Sequence, residues 1–492
     1  MADVVIVGGG PTGLMLACEL RLGGAEVVVV EALPERTGHS KALGLHARSL
    51  EVLAQRGVVD RFLAEGHPKV PVGHFAGIRK LDFERFAGEY SYMLRIPQAD
   101  TERLLEQWAL ELGVELRFGA RVTGLEQDAA GVALTVEAGE AGEGTYEVRA
   151  AYAVGCDGGH STVRELLGVG FPGTPTTLTA MVGDVELPGL DQPVTGSMPR
   201  HTKGVAMQFP LTPGLYRVVT VEFDKVTDRD APLDIDVLRT AYRSIAGTDY
   251  GMRGARWLSR FGDATREAER YRVGRVLLAG DAAHIHFPAS GQGLNLGIQD
   301  AANLGWKLAA VLKGWVGAEI LDTYQEERHP VAAAVLHNTR AQVALMEPGD
   351  KVSALRELFD LLLDFDDVRD FLTGMINGLD VVQPAAGDHP LSGRRIPDAV
   401  LKTDHGERRV YDLLHRGHGV LLDLSDGAPA FAGGARRPLV DTVRARADDL
   451  AASALLIRPD GYVAWAAPAG DTTGDGLEPT LTKWFGEPAA RP

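Results

Sequence analysis

Gly8, Gly10 and Gly13 stand as G-x-G-x-x-G directly after the β-branched run DVVIV and at the mouth of a stretch whose apolar residues, from Pro11 and Thr12 onward, recur at helical spacing. Glycine at these points serves a tight turn, close backbone approach to a pyrophosphate, and packing of helix on strand, while the N–H groups of the helix start face negative charge. Glu31 closes the second strand, where a carboxylate can accept both hydroxyls of an adenosine ribose and would repel a 2′-phosphate. A structural glycine turn followed by an exposed glutamate is the weaker reading.

Two further segments carry chemistry of the same kind. In GCDGGHSTVR a buried strand ends in Asp157-Gly158, and an N-capping Ser161 opens a helix bearing Arg164; alone, this is a plain strand-turn-helix signal. In RVLLAGDAAHIHFPASGQGLNLG, Gly280 and Asp281 follow a buried strand, and the loop Ser290–Gly293 precedes a helix expected to begin near Leu294. An acid at a strand end can hold a ribityl or ribose hydroxyl, and free N–H groups at a helix start suit the electron-rich N1/O2 edge of a reduced flavin. Together the three segments exclude a bare NAD site and point to FAD.

The elements that must position these residues read as an α/β protein of several domains, as 492 residues require. The opening strand, glycine turn, helix and VVVV strand form a βαβ unit; a helix is expected over about Thr101–Leu112, then strands ending at Ala151–Cys156. From Phe171 to Arg270 short alternating strands with Pro and Gly punctuation predict an antiparallel sheet, and helices return from about Leu296 to Leu372. The last segment combines helix and strands with a Pro-Asp-Gly hairpin signal at Pro459–Gly461. The expected division is a discontinuous Rossmann-type domain (1–72, 96–170 and 270–390), a mixed or antiparallel-sheet substrate domain (73–95 and 171–269), and a small C-terminal domain (391–492).

A net charge of -17 disfavours nucleic acid and anionic membrane as partners, and no apolar run is long enough to span a bilayer, so a cytoplasmic protein is expected. Cys18 and Cys156 form no spaced pair, which argues against a disulfide framework or a zinc site, and both read as small buried apolar residues. His284 and His286 have no third ligand nearby, so a structural role is favoured over metal.

The order of the three motifs resembles the class A flavoprotein aromatic hydroxylases, the single-component family built around para-hydroxybenzoate hydroxylase, over essentially the whole chain. The resemblance implies that Glu31 binds the adenosine ribose, Asp281 the ribitol or pyrophosphate region, and Gly293, Leu294 and Asn295 the flavin pyrimidine edge, with Asp157 and Gly158 serving FAD and NADPH. Arg48 in LGLHARSLEVL and Gln98 in IPQADTERLL match further FAD-contacting positions. Where many relatives have Ser-Arg, this chain has Ser40-Lys41; lysine keeps the charge at this cofactor position but loses the planar fork. Within the family, SKALGLHARSLEVLAQRG and LLIRPDGYVAWAAP most resemble actinobacterial hydroxylases of aromatic polyketides, with rifamycin-inactivating monooxygenases almost as close. Those enzymes carry a thioredoxin-like C-terminal domain, here without C-x-x-C and so without dithiol chemistry.

The chemistry so implied is reduction of FAD by NADPH, addition of O2 to give a C4a-hydroperoxide, and transfer of its terminal oxygen to an electron-rich ring. Pro288, Ala289, Gly291 and Gly293 are then expected at the reactive flavin edge, as backbone contributors rather than acids or bases. Phe75, Tyr92, Met207, Phe209, Tyr216 and Phe223 are the candidates to face a polycyclic substrate, with Arg95 beside the first two; alternating strand spacing favours core packing as the other reading. Baeyer–Villiger insertion, inactivation of a rifamycin-type antibiotic, and an FAD-binding scaffold without turnover stay open, as do monomer and homodimer.

Overall fold

The computed structural model describes residues 2–86, 88–139, 144–190, 200–223, 225–228, 231–425, 431 and 437–488. Val4, Val5, Ile6 and Val7 are buried because their strand, Ala2–Val7, lies centrally in a largely parallel sheet covered on both faces. It pairs in parallel with Val27–Val30 on one side and with Gly144–Gly155 on the other. The sheet runs in the order Arg272–Val273, Val276–Leu278, Gly144–Gly155, Ala2–Val7, Val27–Val30, Glu115–Arg117. An antiparallel hairpin, Ala120–Gln127 with Val132–Ala138, is attached to Gly144–Gly155; residues 140–143 of the expected acidic turn lie outside the described residues.

Helices Pro11–Leu22 and Gln292–Leu312 cross closely, and glycine makes this possible: a Cβ on Gly305 would fall 2.3 Å from that of Glu19. The second helix begins at Gln292, two residues before the expected start. The helix expected at about Thr101–Leu112 runs Gln98–Glu111.

The second sheet is antiparallel, in the order Arg200–His201, Gly204–Thr212, Leu215–Glu222, Thr179–Glu186, Arg253–Gly262. Its two faces differ. Val205, Met207, Val219 and Val221 enter one apolar cluster together with Phe75, Phe287 and Ala289. The other face packs under the helix Ile235–Ala246 through Leu238, Ala241, Tyr242 and Ile245. The alternating pattern predicts only strands here, yet a helix forms: Asp234 caps it, its Oδ1 accepting from Val237 N at 2.9 Å, and Gly247 ends it at φ 78°.

In the C-terminal segment, Gly419–Asp423 pairs in parallel with Val440–Arg444 and antiparallel with Ala452–Ile457, which pairs antiparallel with Val463–Pro468. The helix Leu477–Phe485 follows. This strand order matches the thioredoxin-like expectation. The Pro-Asp-Gly signal is realised as the tip between the last two strands, with Gly461 at φ 78°.

That tip is driven into the first domain. Arg458 reaches both oxygens of Glu327 and the Asp460 carboxylate, while Glu327 also accepts from Lys307 Nζ at 2.9 Å and Asn303 Nδ2 at 2.6 Å. The Asp460 carbonyl accepts from Arg48 at 2.7 Å, and the Pro459 carbonyl from Arg56 at 2.9 Å, whose Nε and second terminal nitrogen pair with Glu19 at 2.8 Å each. Trp306 meets Trp484 and Phe485 at ring-centroid distances of 6.2 and 6.0 Å, so the two domains share one apolar core. Burial opposes the ionised form of Glu327, but Arg458 and Lys307 outweigh it and hold the carboxyl well below its ordinary range.

Candidate active site

Both helices that begin at the glycine motifs start without a side-chain cap: Gly10 precedes Pro11–Leu22, and Gly291, at φ 68°, precedes Gln292–Leu312. Their first-turn N–H groups are therefore open to an outside acceptor. Gly8 sits at φ 103°, where a Cβ would meet the Cys156 carbonyl oxygen at 2.4 Å; on Gly13 it would meet the Gly8 carbonyl oxygen at 2.0 Å. On Gly10 it would meet no protein atom within 4 Å. Two of the glycines are thus required by the fold, and Gly10 borders empty space.

Glu31 lies beside this turn, accepting from Gly9 N at 2.7 Å and from Leu33 N at 2.9 Å, which leaves lone pairs on each oxygen. Arg36, absent from the sequence reading, joins it. Its guanidinium donates to the Gly9 carbonyl and to Glu106, yet its second terminal nitrogen is buried without a partner, 3.6 Å from where a Cβ on Gly9 would stand. No local motif announces Arg36; only folding brings it to Gly9.

The second motif is turned inward. Ser161 caps the short helix Thr162–Leu166 as expected, its Oγ accepting from Arg164 N at 3.0 Å, and Asp157 braces that cap, accepting from Ser161 Oγ and, at 3.1 Å, from Val163 N. Burial pushes its carboxyl up, against these hydrogen bonds. Arg164 links this motif to the third, donating to the Gly159 and Ala282 carbonyls at 2.9 Å each. Asp281 keeps an exposed side chain, 3.9 Å from where a Cβ on Gly293 would stand, so the acid and the open helix start converge. His284 is fully buried and hydrogen bonds to Asp300 at 2.7 Å; Asp300 also accepts from Gly280 N at 3.2 Å and Arg328 Nε at 2.8 Å. Burial disfavours the ionised Asp300, but Arg328 and His284 prevail and hold its carboxyl at about 2. Among the described residues no group of side chains could hold a metal ion.

Asn295 fixes the helix start to the loop before Arg48, accepting from His46 N at 2.8 Å and donating to the Gly291 carbonyl at 2.9 Å. Ser290, at φ 57°, is a non-glycine residue in the left-handed region, a conformation that costs roughly 1–2 kcal/mol. The Lys41 side chain is exposed, and its carbonyl accepts from Arg217, which is paired with Asp184 at 2.8 Å and lies over Trp257. Gln98 accepts from Ala42 N at 3.1 Å and so braces this loop.

Several candidates stand elsewhere than expected. Arg48 is buried, with its terminal nitrogens on Glu51 and the Asp460 carbonyl and its guanidinium over the Tyr462 ring, while its Nε has no partner. Tyr216 lies on the sheet face under the helix Ile235–Ala246, and Tyr92 packs in the first domain beneath Lys69. Both lie away from the face bearing Met207, Phe209 and Phe223: Tyr216 because strand residues alternate sides, and Tyr92 because it precedes the strand Met93–Arg95, outside that sheet. Phe75 is on that face, with its ring 5.1 Å from that of Phe359. Cys18 is buried as expected; Cys156 is only half-buried.

Two uncapped helix starts, an acid at each of two strand ends and an orphaned arginine nitrogen fit a long anionic dinucleotide with hydroxyls at two points. The chain belongs to the FAD-binding aromatic-ring hydroxylases: the FAD binding domain model matches residues 1–339, and that of the aromatic-ring hydroxylase C-terminal domain matches residues 389–488. It is a flavin monooxygenase. The chain is 50% identical to the 12-dehydrotetracycline 5-monooxygenase/anhydrotetracycline 6-monooxygenase of Streptomyces rimosus over 99% of each chain. It is 48% identical to the rifampicin monooxygenase of Streptomyces venezuelae over 100% of each. The solved structure of the anhydrotetracycline hydroxylase OxyS from Streptomyces rimosus superposes with a TM-score of 0.92 at 49% identity, over 99% of this chain and 100% of that one.

Proposed function

We propose that this monooxygenase hydroxylates a polycyclic aromatic polyketide in antibiotic biosynthesis, using NADPH and O2. The observation that carries the reading is the single apolar cluster in which Phe287 and Ala289, next to the loop that faces the flavin, meet Met207, Val205 and Val219 of the antiparallel sheet. A flat apolar molecule seated against this cluster would be held dry, as transfer of oxygen to a ring requires.

Bound FAD supplies the redox chemistry, passing the electrons of NADPH to O2 so that one oxygen atom enters the ring. The chain's own groups bind and orient it. The starts of the helices at Gly10 and Gly291 take the pyrophosphate and the N1/O2 edge, Glu31 and Arg36 the adenosine end, and Asp281 a ribityl hydroxyl. Asp157-Gly158 shapes the turn beside them, with Asp157 bracing the Ser161 cap. Pro288, Gly291 and Gly293 act through backbone position.

Likeness to the anhydrotetracycline enzymes supports a linear fused-ring substrate, and likeness to rifampicin monooxygenase supports antibiotic inactivation as the second reading. NADPH consumption by the flavin-loaded protein, with mass analysis of products, tests this across anhydrotetracyclines, angucyclinones, anthracyclinones and rifamycins. A one-oxygen gain on a fused-ring polyketide is expected, as a phenol rather than a lactone. A gain on rifamycin alone moves the function to inactivation, and a lactone to Baeyer–Villiger insertion. No stimulation by any of them contradicts the assigned substrate class.

A further inference from the structure

The loop Pro288–Gly291 is held by a closed circuit of uncharged side chains from the helices Asp322–Met346 and Gln292–Leu312. Ser290 Oγ lies 2.9 Å from Gln342 Oε1 and 3.1 Å from the His74 carbonyl, between which its proton is shared. Gln342 Nε2 donates to Asn338 Oδ1 at 3.0 Å, Asn338 Nδ2 to Gln292 Oε1 at 3.1 Å, and Gln292 Nε2 to the Ala289 carbonyl at 3.2 Å. The circuit thus ends one residue from where it began. Gln342, Asn338 and Gln292 are all buried.

Gln342 also reaches across to the substrate side. Its Oε1 accepts a second hydrogen bond, at 3.0 Å, from the N–H of Ala76, in the turn between the strands Val72–Phe75 and Ile78–Asp82. Two donors on Oε1 fix which way the amide points, since a flipped amide would set two N–H groups against the Ala76 N–H. Ala76, like Ser290, is a non-glycine residue at positive φ, here 50°. Both strained residues therefore hang from one amide oxygen, one in the flavin loop and one in the hairpin that carries Phe75. A bare glycine would suit φ 57° better than serine, so the hydroxyl is the feature that the position retains.

We propose that Gln342, with Asn338, is a positioning residue for oxygen transfer that sets the spacing between the flavin loop and the Phe75 hairpin. The inference rests on the monooxygenase reading above. Either fate of the cofactor's electrons consumes one NADPH, one proton and one O2. In the coupled reaction one oxygen atom enters the ring and the other leaves as water; uncoupled, both leave as hydrogen peroxide. Spacing decides between them, because a ring held away from the reacting oxygen leaves peroxide as the product.

Ser290→Gly and Gln342→Leu separate this role from a purely structural one. Ser290→Gly relieves strain while removing the hydroxyl, so it is expected to melt at or above the parent temperature while product formed per NADPH falls at least about threefold and peroxide rises to match. Gln342→Leu is expected to lower coupling similarly at full flavin content. The visible circular dichroism of the bound flavin, recorded without substrate, should change in both variants, because the loop beside it moves. Unchanged coupling and an unchanged spectrum in Ser290→Gly overturn the proposal even if Gln342→Leu fails to fold. If the parent protein transfers oxygen to no compound, the substrate reading fails, and the flavin spectrum alone decides the positioning role.

Discussion

The helices Pro11–Leu22 and Gln292–Leu312 are open at one end and crowded at the other. Their N-terminal ends carry no side-chain cap and border a point, Gly10, where a side chain would touch nothing. Farther along, Glu19 on the first helix and Asn303 and Lys307 on the second are locked, together with Arg56, Glu327, Arg458 and Asp460, against the C-terminal hairpin. Unmet hydrogen-bonding capacity beside open space marks a ligand at one end, whereas a dense network of buried ion pairs marks a joint between domains at the other, where Arg48 Nε, the Gln55 amide and Trp306 Nε1 are nonetheless left without partners. Arg48, in a segment that reads as cofactor-binding, also holds the joint through the Asp460 carbonyl.

The largest break in this contrast should come from the crowded end. Glu327→Ala leaves Arg458 and Lys307 buried without their shared carboxylate and is expected to cost about 3–5 kcal/mol, read from the denaturant midpoint. Next is acid. Burial lowers His46 to about 4 from 6.5, so between those values the unfolded chain binds a proton that the native chain does not. Burial holds His74 at about 4 as well, so stability should be full above pH 6.5 and fall as pH drops toward 4 by up to about 3 kcal/mol for each of the two, with His46→Gln removing only its own share of that slope. At the open end, Gly10→Val should leave the melting of the flavin-free protein unchanged yet weaken FAD binding by about 100-fold, measured by fluorescence titration. Asp281→Asn should weaken FAD by about tenfold only, since one hydroxyl contact changes from charged to neutral.

The open end was legible because its requirements are local. G-x-G-x-x-G, Glu31, Asp157-Gly158, Gly280-Asp281 and the glycine loop each combine a strand end with a turn, and the spacing alone announces them. The Pro-Asp-Gly tip was legible for the same reason, as a turn. Its destination was not, because the pairing of Arg458 with Glu327 joins residues 131 positions apart. Arg36 and the Ser290–Gln342–Asn338 circuit escaped notice likewise, since nothing local marks an arginine or an amide that meets its partner only in the fold. Tyr216 is not separable from Met207, Phe209 and Phe223 in the sequence, because alternation identifies two faces without telling which one meets the helix Ile235–Ala246.

The most direct test of the central claim is turnover of the flavin-loaded protein with NADPH and a fused-ring aromatic polyketide under oxygen-18 gas, followed by mass spectrometry of the product. One heavy oxygen atom on the ring, formed in step with NADPH consumed, is the expected result. A product of unchanged mass, or one whose added oxygen comes from water, would contradict it.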